Sequence, residues 1–308
     1  MKKFLIKVIS YLAVLFLIVC AYVFGYVNTR PRLPFFTNSV CFNAKAKFIN
    51  EHAVLLEKSK MVVIGSSMDL YNVDCQQMQD SLHIPIINLS SWGLKFYDFE
   101  NFPIWKKDKD IFINMHFTDF GNSPIFRYRG FPYSKSEATE YINIFMNFAT
   151  YCDHISKYQS YTDKDSVDEY NSLIFDGAGS VIVPDKNFKI DSNRWNMTER
   201  NFTKQQADDL VATMTKQAKK INRLIICFSP PRPGRYEKEK SLSVVELGNR
   251  LKKIHNVLFF NYYDMPVTNS DFTDNCHMTG RGARRYTKKI IFDLRNASKF
   301  IPDKHYTF

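Results

Sequence analysis

The sequence predicts an α/β protein built on a doubly wound parallel sheet of five strands, preceded by one apolar N-terminal helix. Short β-branched and apolar runs recur along the chain, each bounded by Gly, Pro or polar residues. Segments with helical apolar spacing lie between the later runs, and that alternation favours parallel strands joined by helical crossovers. An uncharged stretch of membrane-spanning length opens the chain.

Residues 8–27 carry no charged side chain. At helical rise the stretch is about 30 Å long, enough to cross the hydrocarbon core of a bilayer. Lys2, Lys3 and Lys7 precede it, and Tyr22 and Tyr26 sit near its far end. The expected arrangement is therefore a cytoplasmic segment 1–7, a single-pass cell-membrane anchor 8–27 and an extracytoplasmic remainder. A cleavable signal peptide is the rival, but the apolar stretch is long for one and no A-x-A pattern follows it. Of the six cysteines, Cys41, Cys75, Cys152, Cys227 and Cys276 lie beyond this stretch with no CxxC among them. That spacing argues against a structural zinc site and leaves one or two disulfides open.

Residues 28–58 read as a tether containing Pro31 and Pro34, followed by a short amphipathic helix over about 45–56. The remainder, 59–308, reads as one domain. Its expected strands are 61–65 (MVVIG), 84–89, 110–115 (DIFINM), 223–229, stopped by Pro230 and Pro231, and 257–261 (VLFFN). Helices are expected over 203–221, 244–254 and 280–294. The first of these starts at a Thr cap and carries Ala207, Leu210, Val211, Met214 and Ala218 at helical spacing. Residues 121–200 interrupt the pattern: they are rich in Tyr, Asn, Asp and Ser and contain the turn signal Asp176-Gly177-Ala178-Gly179. They read as an insertion of short helices and loops, a lid or substrate platform.

Composition excludes several classes. A chain with 45% hydrophobic and 24% charged residues is globular rather than disordered. The net charge of +11 favours an anionic neighbour. The Lys and Arg are scattered, without finger spacing or a recognition-helix pattern, so an anionic membrane or envelope polymer accounts for them better than nucleic acid. No G-x-G-x-x-G or P-loop supports a nucleotide site. The 27 Phe and 17 Tyr fit either a core or an aromatic-walled cleft.

Three segments carry candidate chemistry, and each has a bland reading as a turn or surface loop. Ile64-Gly65-Ser66-Ser67 ends the first strand, where a glycine turn can present a hydroxyl at the sheet edge. Asp274 precedes His277 by three residues in a loop leading into a helix. That spacing lets a carboxylate hold imidazole Nδ1 and leave Nε2 free to take a proton from serine. Asn88-Leu89-Ser90-Ser91-Trp92-Gly93 follows the second strand, with a glycine where a backbone N–H can meet a developing oxyanion.

In order and spacing these blocks resemble the SGNH, or GDSL-type, hydrolase superfamily, whose sheet is of the flavodoxin-like doubly wound kind. The resemblance covers about residues 60–120 and 220–295. It implies Ser67 as nucleophile, Asp274 and His277 as the rest of the triad, and Asn88 and Gly93 as the second block. Ser66 replaces the usual Asp, and Thr118 in His116-Phe117-Thr118-Asp119 stands where the third block has Asn. The implied oxyanion donors are the N–H groups of Ser67 and Gly93, helped by Thr118 or Asn122, with Asn88 and Trp92 expected at the substrate. Gly-Ser-Ser and Ser229-Pro230-Pro231 are similar to the membrane-anchored branch of polysaccharide O-acetyltransferases and the D-alanyl transfer protein of teichoic acid modification. That branch implies acyl transfer onto, or ester removal from, an envelope glycan, alongside a multi-pass membrane acyltransferase and with no metal or tightly bound cofactor. The alternative is a catalytically weak or inactive glycan-binding or assembly subunit with the same fold.

Overall fold

A computed structural model of the chain describes residues 1–26, 39–95, 104–120, 172–185 and 200–297. Helix α1 (Lys2–Cys20) runs into a π-helical turn over Ala21–Tyr26. It starts before the uncharged stretch because lysine is a good helix former. By length and composition α1 can cross a membrane, a property that an N-terminal signal sequence shares.

The expected sheet is present. Five parallel strands, β1 (Met61–Val63), β2 (Ile86–Asn88), β3 (Asp110–Met115), β4 (Arg223–Phe228) and β5 (Val257–Asn261), lie in the order β2-β1-β3-β4-β5. Their continuous apolar character follows from burial on both faces. Val62, Ile87, Ile111, Ile113, Leu224, Ile226 and Phe228 face one helical layer, while Met61, Val63, Ile86, Phe112, Ile225 and Cys227 face the other. Strand alternation makes that division, and fully burying each such side chain contributes roughly 1.5–3 kcal/mol.

The first layer holds α2 (Val40–Glu51), α3 (Ala53–Lys58), α6 (Lys204–Ala218) and α7 (Lys238–Leu251); the second holds α5 (Cys75–Leu82) and α8 (Gly280–Asn296). Helix α4 (Ser67–Asn72) leads from β1 toward α5. Thr203 caps α6 through a reciprocal capping box with Gln206. Helices α4 and α5 were not expected from the sequence, being short and mixed in polarity.

Of the segment 28–58, expected as a tether followed by a short helix, the structure describes 39–58, and helices α2 and α3 lie there. Cys41, Phe42, Ala44, Ala46 and Ile49 of α2 are buried in the domain core, and Ser39 caps the helix at Phe42 N. Lys45 is buried too. Its ammonium donates to the Gly179 carbonyl and lies 3.9 Å from the Phe175 ring centre, with burial pushing it down to about 8. It therefore joins α2 to residues 172–185, which together with Arg200 are the described part of the insertion. There the expected turn closes, with Gly179 at φ +92° and its N–H on the Asp176 carbonyl at 3.0 Å. The rest of 121–199, including Asn122, Cys152 and the lid reading, lies outside the described residues. The five described cysteines, Cys20, Cys41, Cys75, Cys227 and Cys276, are thiols.

Candidate active site

Doubly wound sheets place ligands beyond the carboxyl ends of the strands, at the point where strand order reverses. Here that point lies between β1 and β3, and the chain leaves β1 there through Ile64-Gly65-Ser66 into α4. Ser66 is the cap: its backbone is extended and its Oγ accepts from Met68 N at 3.3 Å. Ser67 becomes the first helical residue, with its hydroxyl beyond the sheet edge.

His277, 210 positions later, meets it. Nε2 lies 2.7 Å from Ser67 Oγ, and Nδ1 lies 2.8 Å from Asp274 Oδ2. The other carboxylate oxygen, Oδ1, accepts the Cys276 and His277 N–H groups, each at 2.8 Å. One carboxylate thus holds both the ring and its backbone. An antiparallel bridge between Phe272 and Met278 closes the loop, and Thr273 N donates to the His277 carbonyl at 2.8 Å. Burial works against the Asp274 carboxylate, but the charge His277 carries when protonated and these hydrogen bonds outweigh it. They hold Asp274 well below the usual carboxylate range.

Two residues of α4 that the sequence left unremarked complete the frame. The Asn72 side chain donates to the Cys276 carbonyl at 3.0 Å and accepts from Met278 N at 2.8 Å. Tyr71 places its ring edge-on to the imidazole, with centroids 5.4 Å apart, and its hydroxyl accepts from Trp92 Nε1 at 2.9 Å. The only local sign of these roles is that Asn72 and Tyr71 share a helix with the motif serine.

The remaining expected residues divide. Asn88, expected at the substrate, is fully buried and hydrogen-bonded within the protein. Its amide NH2 reaches the Asp69 carbonyl at 3.1 Å and Ser180 Oγ at 3.1 Å, and its Oδ1 accepts from Ser90 N at 2.8 Å. Trp92 is half-buried and contacts the imidazole's neighbour Tyr71. Gly93 sits in a turn at φ +72°, a backbone region where a side chain is strained. Thr118 lies in a 3-10 turn over Phe117–Phe120, with Oγ1 3.1 Å from His116 Nδ1. Its hydroxyl proton is available to a substrate when Nδ1 carries hydrogen, and is taken up when Nδ1 accepts.

Asp274, Cys276 and His277 bring donor atoms within 4.8 Å of one another. Nδ1 and both carboxylate oxygens are already hydrogen-bonded, so the arrangement orients a histidine rather than presenting a ligand set. Fold and site together define a parallel α/β protein carrying a Ser–His–Asp constellation at its switch point.

No protein-family model matches the chain, and no curated protein matches it. Among solved structures it is similar to a family two carbohydrate esterase from Clostridium thermocellum in complex with cellohexaose, at 10% identity and a TM-score of 0.37. That alignment covers 79% of this chain and 66% of the other. An active-site mutant of a family two carbohydrate esterase from Clostridium thermocellum aligns at 9% identity and a TM-score of 0.37, covering 79% and 65% of the two chains. A third carbohydrate esterase, described as having divergent catalytic and non-catalytic binding functions, aligns at 11% identity and a TM-score of 0.35, covering 79% and 70%. The chain thus spans less than two thirds of the length of the first two.

Proposed function

We propose that the chain is a serine-dependent acyl-transfer enzyme of the SGNH type, moving an acyl group, expected to be acetyl, onto or off a glycan through an acyl-serine. The observation that carries this reading is the 2.7 Å contact between Ser67 Oγ and His277 Nε2, with Asp274 at the opposite ring nitrogen. Contacts of this length let imidazole act as general base in the first step and general acid in the second.

In the first half-reaction His277 Nε2 takes the Ser67 hydroxyl proton as Oγ bonds to the acyl carbonyl carbon. The carbonyl π electrons move to oxygen, where the N–H groups of Ser67 and Gly93 and the Thr118 hydroxyl serve as oxyanion donors. The tetrahedral species collapses, the bond to the leaving oxygen breaks, and that oxygen takes the proton from Nε2. In the second half-reaction a sugar hydroxyl or water gives its proton to Nε2 and attacks the acyl carbon; as the bond from that carbon to Oγ breaks, Nε2 returns the proton to Ser67. Asp274 stays ionised throughout and steadies the imidazolium.

Transfer and hydrolysis differ only in the acceptor. The apolar α1 and the Gly-Ser-Ser and Ser-Pro-Pro blocks support the reading of an extracytoplasmic domain, anchored at the cell membrane and working beside a multi-pass membrane acyltransferase. Incubation of the full chain with a fluorophosphonate probe tests the core of the proposal. Labelling of wild type and its loss in Ser67→Ala are expected, and equal labelling of both would remove Ser67 as nucleophile.

A second reading, a glycan-binding or assembly subunit with little catalysis, draws on Thr118. With its hydroxyl against His116 Nδ1, the third oxyanion donor can be lost. A chain that binds glycan yet neither labels nor turns over aryl acetates would establish it.

A further inference from the structure

Asp69 lies two residues after Ser67 on α4, fully buried, and takes no part in the reaction above. Parallel pairing of β1 with β3 continues until Ile64 N donates to the Phe112 carbonyl at 2.9 Å. The next rung of a parallel ladder would join Asn114 N to β1, but there the chain turns away through Gly65. Asp69 Oδ1 accepts that N–H instead, at 2.6 Å. The carboxyl occupies the volume a side chain at position 65 would need: a Cβ on Gly65 would stand 1.6 Å from Asp69 Oδ2. On its other side the turn is tied down by Ser91 N donating to the Gly65 carbonyl at 3.2 Å.

We infer that Asp69 is a positioning residue for Ser67, its carboxyl group standing in for the missing strand rung so that the chain can leave the sheet and present the nucleophile. This rests on the proposed role of Ser67. Three further features fit it. Among the described residues Asp69 Oδ2 has no hydrogen-bond partner and it is shut off from solvent, a place that costs a carboxylate more than a neutral acid. Burial pushes the group well above the usual carboxylate range; the Asn114 N–H opposes this and nearby Asp119 adds to it. Asn114, the residue it caps, is itself immobilised, since its Oδ1 accepts from Ser229 Oγ at 2.9 Å and from Tyr286 Oη at 2.8 Å. The nucleophile turn is thus referenced to β3, the residue after β4 and α8 through one carboxyl group.

The test uses the full-length chain in detergent and compares wild type, S67A, D69N and D69A for fluorophosphonate labelling, aryl acetate turnover and pH profile. Asn can accept from Asn114 N and is neutral, so D69N should stay near wild-type kcat with the same pH profile. D69A should lose about 10- to 100-fold in kcat at unchanged KM, the scale of a misplaced reacting group. D69A at wild-type kcat overturns the role, and so does a displaced pH profile in D69N, which would make the carboxyl a proton carrier. If D69A does not fold, D69N decides by the same two readouts. A wild type that labels no faster than S67A removes the nucleophile reading and this role with it; labelling wild type beside an equally reactive D69A removes this role alone.

Discussion

Asn72 brackets His277: one buried amide on α4 donates to the carbonyl of the residue before it and accepts from the N–H of the residue after it. The histidine loop and the nucleophile helix are therefore one rigid piece. The Ser67–His277 separation is set by this pair of bonds as well as by Asp274.

Replacing Asn72 with Ala leaves the buried Met278 N–H unsatisfied, at a cost of about 1–3 kcal/mol, and removes a part-buried bond to the Cys276 carbonyl. The expected outcome for N72A is a lowered unfolding temperature and a kcat reduced roughly 100-fold with KM retained, because a reacting group is displaced without loss of binding contacts. Steady-state kinetics on an aryl acetate with a parallel thermal melt checks both.

Thr118 stands where the resemblance puts an oxyanion donor. T118V keeps the shape and removes the hydroxyl, and is expected to slow acylation by about 100-fold if that group serves the oxyanion. Stopped-flow acylation measures this directly; an unchanged rate would place the third donor elsewhere.

Gly65 and Asp69 share one volume. G65A is expected to displace the Asp69 carboxyl and to destabilise the fold by about 1–3 kcal/mol, the usual range for overpacking. Because both changes strike one contact, G65A/D69A should be no less stable than G65A alone. Denaturant unfolding of the single and double variants gives the coupling, and simple additivity would contradict the contact.

Burial pushes Asp176 up to about 6, with Lys45 opposing and Asp74 adding. The folded chain therefore holds this proton more tightly than the unfolded chain. Its contribution to stability is fully present below about pH 4 and is lost as pH rises through about 6. D176N keeps an acceptor for the Ala178 and Ser180 N–H groups, both at 2.9 Å, without the charge. It should be more stable than wild type at pH 8, by up to about 2–3 kcal/mol, and similar to it at pH 4. Denaturant titrations at the two pH values decide; equal gains at both would remove the ionisation argument.

The sheet and the central constellation were legible in the chain. Runs such as DIFINM and RLIICF are buried on both faces, so their apolar continuity survives as a local signal. Ser67, Asp274 and His277 sit in short motifs whose spacing reflects a local requirement: a turn that exposes a hydroxyl, and a carboxylate within reach of an imidazole three residues on. The short helix expected over about 45–56 overlaps α2 and α3, and the Asn, Lys and Glu residues of α2 hide in the sequence how much of it is buried. Lys45, charged in any sequence, becomes interior only where Phe175 and Gly179 fold over it. Asn88 looked like a substrate ligand because its position matches a motif, yet its partners are Asp69, Ser90 and Ser180.

The sequence by itself determined the strands, the main helices and the three residues of the candidate triad, since each depends on chemistry repeated over a few neighbouring positions. Only the tertiary structure decided what holds those residues in register. Asp69 on Asn114 and Asn72 on Cys276 and Met278 are hydrogen bonds across 45 and about 200 positions of chain. A polar side chain's partner at such separation is chosen by how the strands order themselves and where the chain leaves the sheet, and no local pattern records that choice.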